Sequence, residues 1–136
     1  AAGKEVRLIR YRDYGVDIYS NGIAARDGLI RKSPDMVRGL VGAVMKAAVW
    51  GYKHPQKAMD ILLKYNPNLN RKLSLESWDI MKSYIRHQAE KGPGIGRMTR
   101  KKMAHTRDLV SKYMGVKKGI PVEDLFTNKF VPKLSL

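Results

Sequence analysis

Apolar residues recur along this chain at two spacings. Over residues 5–11, Val6 and Leu8, with Tyr11 further on, alternate with polar neighbours, the two-residue period of a strand with one buried face. Residues 17–25 carry Ile18, Tyr19 and Ile23 among small residues. They predict a second strand, with Asn21-Gly22 as a hairpin turn or bulge. Asp27 is placed to cap a short helical turn over residues 27–32. From Ser33 the period becomes helical. Ser33 offers a capping hydroxyl, Pro34 suits the first helical position, and Asp35 sits near the positive helix end. Val37, Leu40, Val41, Val44, Ala48 and Tyr52 then recur three and four apart and define one buried face. Gly39, Ala43 and Ala47 form a small-residue ridge at intervals of four. A helical glycine costs about 1 kcal/mol, and close approach by another helix or a strand offsets it.

The helical pattern restarts at His54-Pro55, with Ala58, Met59, Leu62, Leu63 and Tyr65 apolar, and stops at Asn66-Pro67, because the residue before proline avoids helical geometry. Ser74 reads as the cap of a third helix striped by Leu75, Trp78, Met81 and Ile85 and stopped by Gly92-Pro93-Gly94. Thr99 starts a fourth, carrying Met103, Leu109, Val110, Tyr113 and Met114, and Gly115 suits a left-handed stop. Residues 121–126 predict a short final helix, and Phe130-Val131-Pro132 a tail that packs down. There is no internal repeat. Two strands followed by about five helices cannot form a covered sheet alone. They predict an α/β class in which the remaining strands lie elsewhere.

Charge adds a second consideration. The 136 residues hold 27 Lys and Arg against 12 Asp and Glu, a net charge of +15, so nucleic acid or an anionic surface enters as a partner class. The excess is densest at Lys91, Arg97, Arg100, Lys101, Lys102, Arg107, Lys112, Lys117 and Lys118, relieved only by Asp108. A solvated helix face accounts for such a run. Tyr113 is its only interleaved aromatic, and no groove-reading motif accompanies it. A basic helical nucleic-acid-binding protein is the alternative function. Its binding would weaken steeply between low and moderate salt. Cysteine is absent, which excludes a disulfide framework. The mostly apolar stretch over residues 40–50 is too short to span a bilayer. The N-terminus lacks the order of a signal peptide, as expected of a mature or excised segment as much as of a cytoplasmic one.

Catalytic chemistry finds little support. His54, His87 and His105 have no metal-ligand spacing with one another or with a carboxylate, and no metal or cofactor is expected. Gly92-Pro93-Gly94-Ile95-Gly96 lacks a following GK[ST], and its proline removes an amide donor that a phosphate cradle needs. Ser20, Ser33, Ser74 and Ser77 have no nucleophile-elbow context. Trp50 and Trp78 fall on helix stripes and read as core. Asp13-Tyr14-Gly15-Val16-Asp17 joins the two expected strands, where ligands of open α/β sheets bind. Tyr14 offers a flat face and a hydroxyl there, and Gly15 allows close backbone approach. A simple turn is the plain alternative.

Several motifs, in order, resemble one family: the nitrate/taurine/sulfonate and thiamine-pyrimidine (NMT1/THI5-like) type of substrate-binding protein, which serves ABC importers. Residues 13–22, Asp-Tyr-Gly-Val-Asp-Ile-Tyr-Ser-Asn-Gly, are similar to its return strand. Ser33-Pro34-Asp35-Met36-Val37-Arg38 resembles its helix start, and His54-Pro55-Gln56-Lys57-Ala58 its helix restart. Leu63-Lys64-Tyr65-Asn66-Pro67 and the Trp78 helix follow in place. Leu125-Phe126-Thr127-Asn128-Lys129-Phe130-Val131-Pro132 resembles its closing motif. The resemblance implies the C-terminal portion of a periplasmic-binding-protein-like (type II) fold whose two lobes close on a small ligand. Residues 1–12 would end the second lobe, 13–25 would cross the hinge and return as a strand, and 26–136 would be the helical C-terminal part of the first lobe. It implies no enzyme activity, an extracytoplasmic or periplasmic location in a bacterium, and ligand contacts at Tyr14, Asp17, Tyr19 and Asn21. The partners implied are a small ligand, for which the net positive charge would suit an anion, importer membrane subunits and the missing N-terminal lobe. A homodimer or domain swap is compatible with the open edge of an incomplete sheet.

Overall fold

The structure, a computed structural model, describes residues 7, 9–116 and 119–136. A 3-10 turn at Tyr11–Tyr14 precedes helices α1 (Asp27–Lys32), α2 (Pro34–Lys53), α3 (Pro55–Tyr65), α4 (Arg71–Glu90), α5 (Arg100–Tyr113) and α6 (Val122–Leu125). Among the described residues there is no strand. This corrects the expected α/β class and its two-strand, two-lobed type II arrangement: the chain is helical. Val6 and Leu8, which carried the first expected strand, lie outside the described residues, and Tyr11 opens the 3-10 turn. Residues 17–25 form neither strand nor hairpin at Asn21-Gly22, and their backbone is irregular. A strand requires a neighbouring backbone to satisfy its amides and carbonyls. The described residues supply no such neighbour.

The helix boundaries follow local rules. Ser33, His54 and Asn66 each precede a proline, and each leaves the helical region in the same way, with φ of −140°, −128° and −136° and ψ between 57° and 70°. Proline forces that change on the residue before it. At Ser33 and His54 the next proline then opens a new helix, as its fixed φ and missing N–H allow. Three expected caps are corrected. The Ser33 side chain makes no capping bond; its backbone N–H instead closes α1 on the Leu29 carbonyl at 2.9 Å. Asn70, not Ser74, caps α4, its side chain accepting from the Leu73 N–H at 3.1 Å, while the Ser74 hydroxyl donates to the Asn70 carbonyl. Asp27 lies in the first turn of α1, with Arg26 in the capping position. Thr99 caps α5 as expected, accepting from the Lys102 N–H at 3.3 Å.

The chain divides into two compact units, one of Ala1–Gly22 with Met98–Thr127 and one of Ile23–Arg97 with Asn128–Leu136. In the second unit, Val37 and Val41 of α2 bury against Phe130 of the tail, with Ile30, Met45 and Val131 packed around them. The expected buried face of α2 is therefore half right: Leu40 and Val44 are exposed. Where α2 ends, Gly51 is buried against Trp78 of α4, whose indole N–H donates to the Gly51 carbonyl at 3.2 Å. That carbonyl has no helical partner, because the residue four positions on is Pro55, which lacks an N–H. In the first unit, α5 packs against α6, where Val122 is buried and Arg100 pairs with Glu123 at 2.5 Å.

Candidate ligand-facing segment

The loop that the sequence singled out lies in the first unit. The Tyr11–Tyr14 turn ends at Gly15, which takes the left-handed φ of 85° that glycine adopts without steric cost. From there the backbone runs along α5, and positions 15, 17 and 19 turn toward it. The Gly15 carbonyl lies 2.9 Å from His105 Nε2. A carbonyl only accepts, so the ring proton sits on Nε2. Asp17 pairs with Lys102 at 2.6 Å, and the Lys102 ammonium lies 5.2 Å from the Tyr19 ring centre. The Tyr19 N–H donates to Thr106 Oγ1 at 3.1 Å, while that hydroxyl donates to the Lys102 carbonyl at 2.8 Å. The Tyr19 hydroxyl accepts from the Thr99 N–H at 2.9 Å. This satisfies a donor at the start of α5 that its own helix cannot reach.

The extended segment expected over residues 17–25 is thus held, at positions 17 and 19, against a helix rather than a strand. Side chains of α5 supply the partners that a neighbouring strand would have supplied. Asp17 and Tyr19 are brought together by Lys102, and both hold the segment in place. Tyr14 and Asn21 take no part: Tyr14 is 75% exposed and Asn21 is exposed. Sequence reasoning missed Thr99, Lys102, His105 and Thr106 as partners. Their three-and-four spacing on α5 was a usable signal, but it was submerged in the basic run.

That run is largely engaged within the chain. Arg97 donates to the Val131 carbonyl, Arg100 meets Glu123, Lys102 meets Asp17, and Arg107 meets Asp108. Lys117 and Lys118 lie outside the described residues. Hydrogen bonding to Arg100 holds the Glu123 carboxyl below its ordinary value. On α4, Arg86 Nε donates to the Tyr52 hydroxyl at 3.0 Å, which raises the Arg86 guanidinium further. Asp79, Lys82, Ser83, Arg86, His87 and Glu90 line an open groove of about 370 Å³ beside it. Among the described residues no cluster of His, Cys, Asp or Glu could hold a metal ion, and no helix is long and apolar enough to cross a membrane.

Comparison with known proteins finds two similarities. Residues 1–58 match the family model described as NMT1/THI5 like. Nearly the whole chain, 96% of it, aligns at 26% identity with the riboflavin-binding protein RibY of Chloroflexus aurantiacus. The two matches support an NMT1-like substrate-binding family and a solute-binding role. The chain spans 38% of the length of that relative. No solved structure matches.

Proposed function

We propose that this chain is part of an extracytoplasmic solute-binding protein that captures a small heteroaromatic ligand and delivers it to an ABC importer. The alignment with a riboflavin-binding protein along almost the entire chain carries this proposal. The geometry adds a division of labour. Asp17 and Tyr19, tied to α5, position the segment. Tyr14 presents an unoccupied ring for stacking, and Asn21 presents an amide with donors and an acceptor. A flat ring system with polar edges suits both.

Riboflavin, its phosphate ester, a thiamine pyrimidine and taurine form the test panel, titrated into the protein by calorimetry and, for the flavins, by fluorescence quenching. Saturable binding of a flavin is expected, weakened roughly two- to tenfold by Tyr14→Ala through loss of the stacking face, which is worth roughly 0.5–1.5 kcal/mol. If none of the four binds saturably, the proposal fails. Retention on DNA that weakens steeply with salt would instead favour the nucleic-acid alternative.

A further inference from the structure

The Tyr11–Tyr14 turn carries a second exposed ring. Tyr11 is 79% exposed, much as Tyr14 is. A single exposed tyrosine needs no explanation, but two on one short turn stand in a relation that the backbone fixes. In a 3-10 helix, side chains three positions apart eclipse one another, and each residue rises about 2.0 Å. Tyr11 and Tyr14 are the first and last residues of the turn. They therefore leave the same side of it, about 6 Å apart along its axis. A flat ring in van der Waals contact with a tyrosine on either side needs a gap of about 7 Å, two spacings of about 3.5 Å. Neither tyrosine ring makes a ring–ring contact among the described residues.

The turn is tied down. The Asp13 N–H donates to the Arg10 carbonyl at 3.0 Å, the Gly15 N–H to the Arg12 carbonyl at 3.2 Å, and the Val16 N–H to the Tyr11 carbonyl at 3.1 Å. His105 of α5 holds the Gly15 carbonyl. Rings mounted on such a backbone lose less freedom when a ligand enters than rings on a loose one. Charge beside them is unbalanced. Arg10 and Arg12 flank Tyr11 in the sequence. The two carboxylates of this stretch are engaged, Asp13 with Arg12 at 3.8 Å and Asp17 with Lys102. The Arg10 side chain is exposed and enters no ion pair among the described residues. Its planar guanidinium can fork onto two phosphate oxygens through parallel N–H bonds.

We infer, resting on the function proposed above, that Tyr11 and Tyr14 clasp a planar heteroaromatic ring from its two faces and that Arg10 holds a phosphomonoester on the same ligand. The substrate class is then a phosphorylated heteroaromatic compound in preference to the neutral one. Tyr11 and Arg10 join Tyr14 as ligand contacts. Stacking on two faces accounts for a pair of rings left in solvent on a rigid turn, and the phosphate accounts for the one arginine there whose charge is unanswered.

The test is the affinity for riboflavin, riboflavin phosphate and adenosine monophosphate, measured by calorimetry on the wild-type protein and its variants. The phosphate ester is expected to bind roughly two- to fivefold more tightly than riboflavin, the gain of an exposed charge pair. Arg10→Gln removes that margin. Arg31→Gln, which takes the same charge from α1, keeps it. Tyr11→Ala weakens both flavins roughly two- to tenfold, and Tyr11→Phe binds nearly as the wild type does because the ring face remains. Tyr11 is exposed, so circular dichroism should show both of its variants folded. Equal affinity for the two flavins, or a margin that survives Arg10→Gln, overturns the phosphate contact and leaves the proposed function standing. Wild-type binding by Tyr11→Ala, with Tyr14→Ala weakened, overturns the clasp and again leaves that function standing. Adenosine monophosphate bound as tightly as the flavin ester supports the clasp and assigns it to nucleotides at large. Absence of saturable binding by all three overturns the inference and the proposed function together.

Discussion

Replacing Trp78 with Phe isolates one bond at the junction of α2, α3 and α4. The phenyl ring keeps most of the apolar contact with Gly51 but has no N–H. The Gly51 carbonyl then loses its donor, and Pro55 cannot replace it. A net hydrogen bond contributes about 0.5–1.5 kcal/mol, and a buried acceptor left unpaired costs about 1–3 kcal/mol. Gly51 is buried, so the second range governs, and the expected loss is about 2 kcal/mol. Trp78→Ala removes the packing as well and should cost about 3–5 kcal/mol. Urea unfolding followed by far-UV circular dichroism reads both. Gly51→Ala approaches the same contact from the other side. Its methyl would lie 3.1 Å from Trp78 Cζ2, so overpacking should cancel the roughly 1 kcal/mol gained in helix propensity. If Trp78→Phe stays within about 0.5 kcal/mol of wild type while Trp78→Ala is severe, the indole bond contributes nothing and the junction is held by packing alone.

Tyr19→Phe removes the acceptor for the Thr99 N–H and should lower stability by about 0.5–1.5 kcal/mol, read by the same unfolding assay. Gly96→Ala should destabilise the protein measurably in thermal melts, because Gly96 has φ of +72° and its Cβ would collide with Met45 Sδ. The depressed Glu123 carboxyl makes the Arg100 contact fully present at neutral pH and lost as pH falls through the lowered folded value. Protection of α6 amides in hydrogen exchange should therefore decline only below the ordinary carboxylate range, and Glu123→Gln should abolish that dependence. Tyr14→Ala should leave thermal stability within about 0.5 kcal/mol of wild type while weakening flavin binding in the calorimetric titration.

Helices were legible from the chain alone wherever a proline or a cap marked an end. Ser33-Pro34, His54-Pro55, Asn66-Pro67, Thr99 and Gly115 act through their own backbone geometry, which needs no distant partner. The apolar tail was legible as packing for a similar reason: Phe130 has no favourable alternative to burial. The resemblance to the NMT1/THI5-like family was legible in the order of those motifs, and the family model matches residues 1–58. Tertiary structure decided the rest. An extended run such as residues 17–25 states only that its backbone and side chains want partners, and whether a strand or α5 supplies them depends on residues some ninety positions away. Likewise a helical stripe shows which positions are apolar but not how much of it the chain covers. Val37 and Val41 are buried because Phe130 reaches them, and Leu40 and Val44 stay exposed because no part of the described chain does.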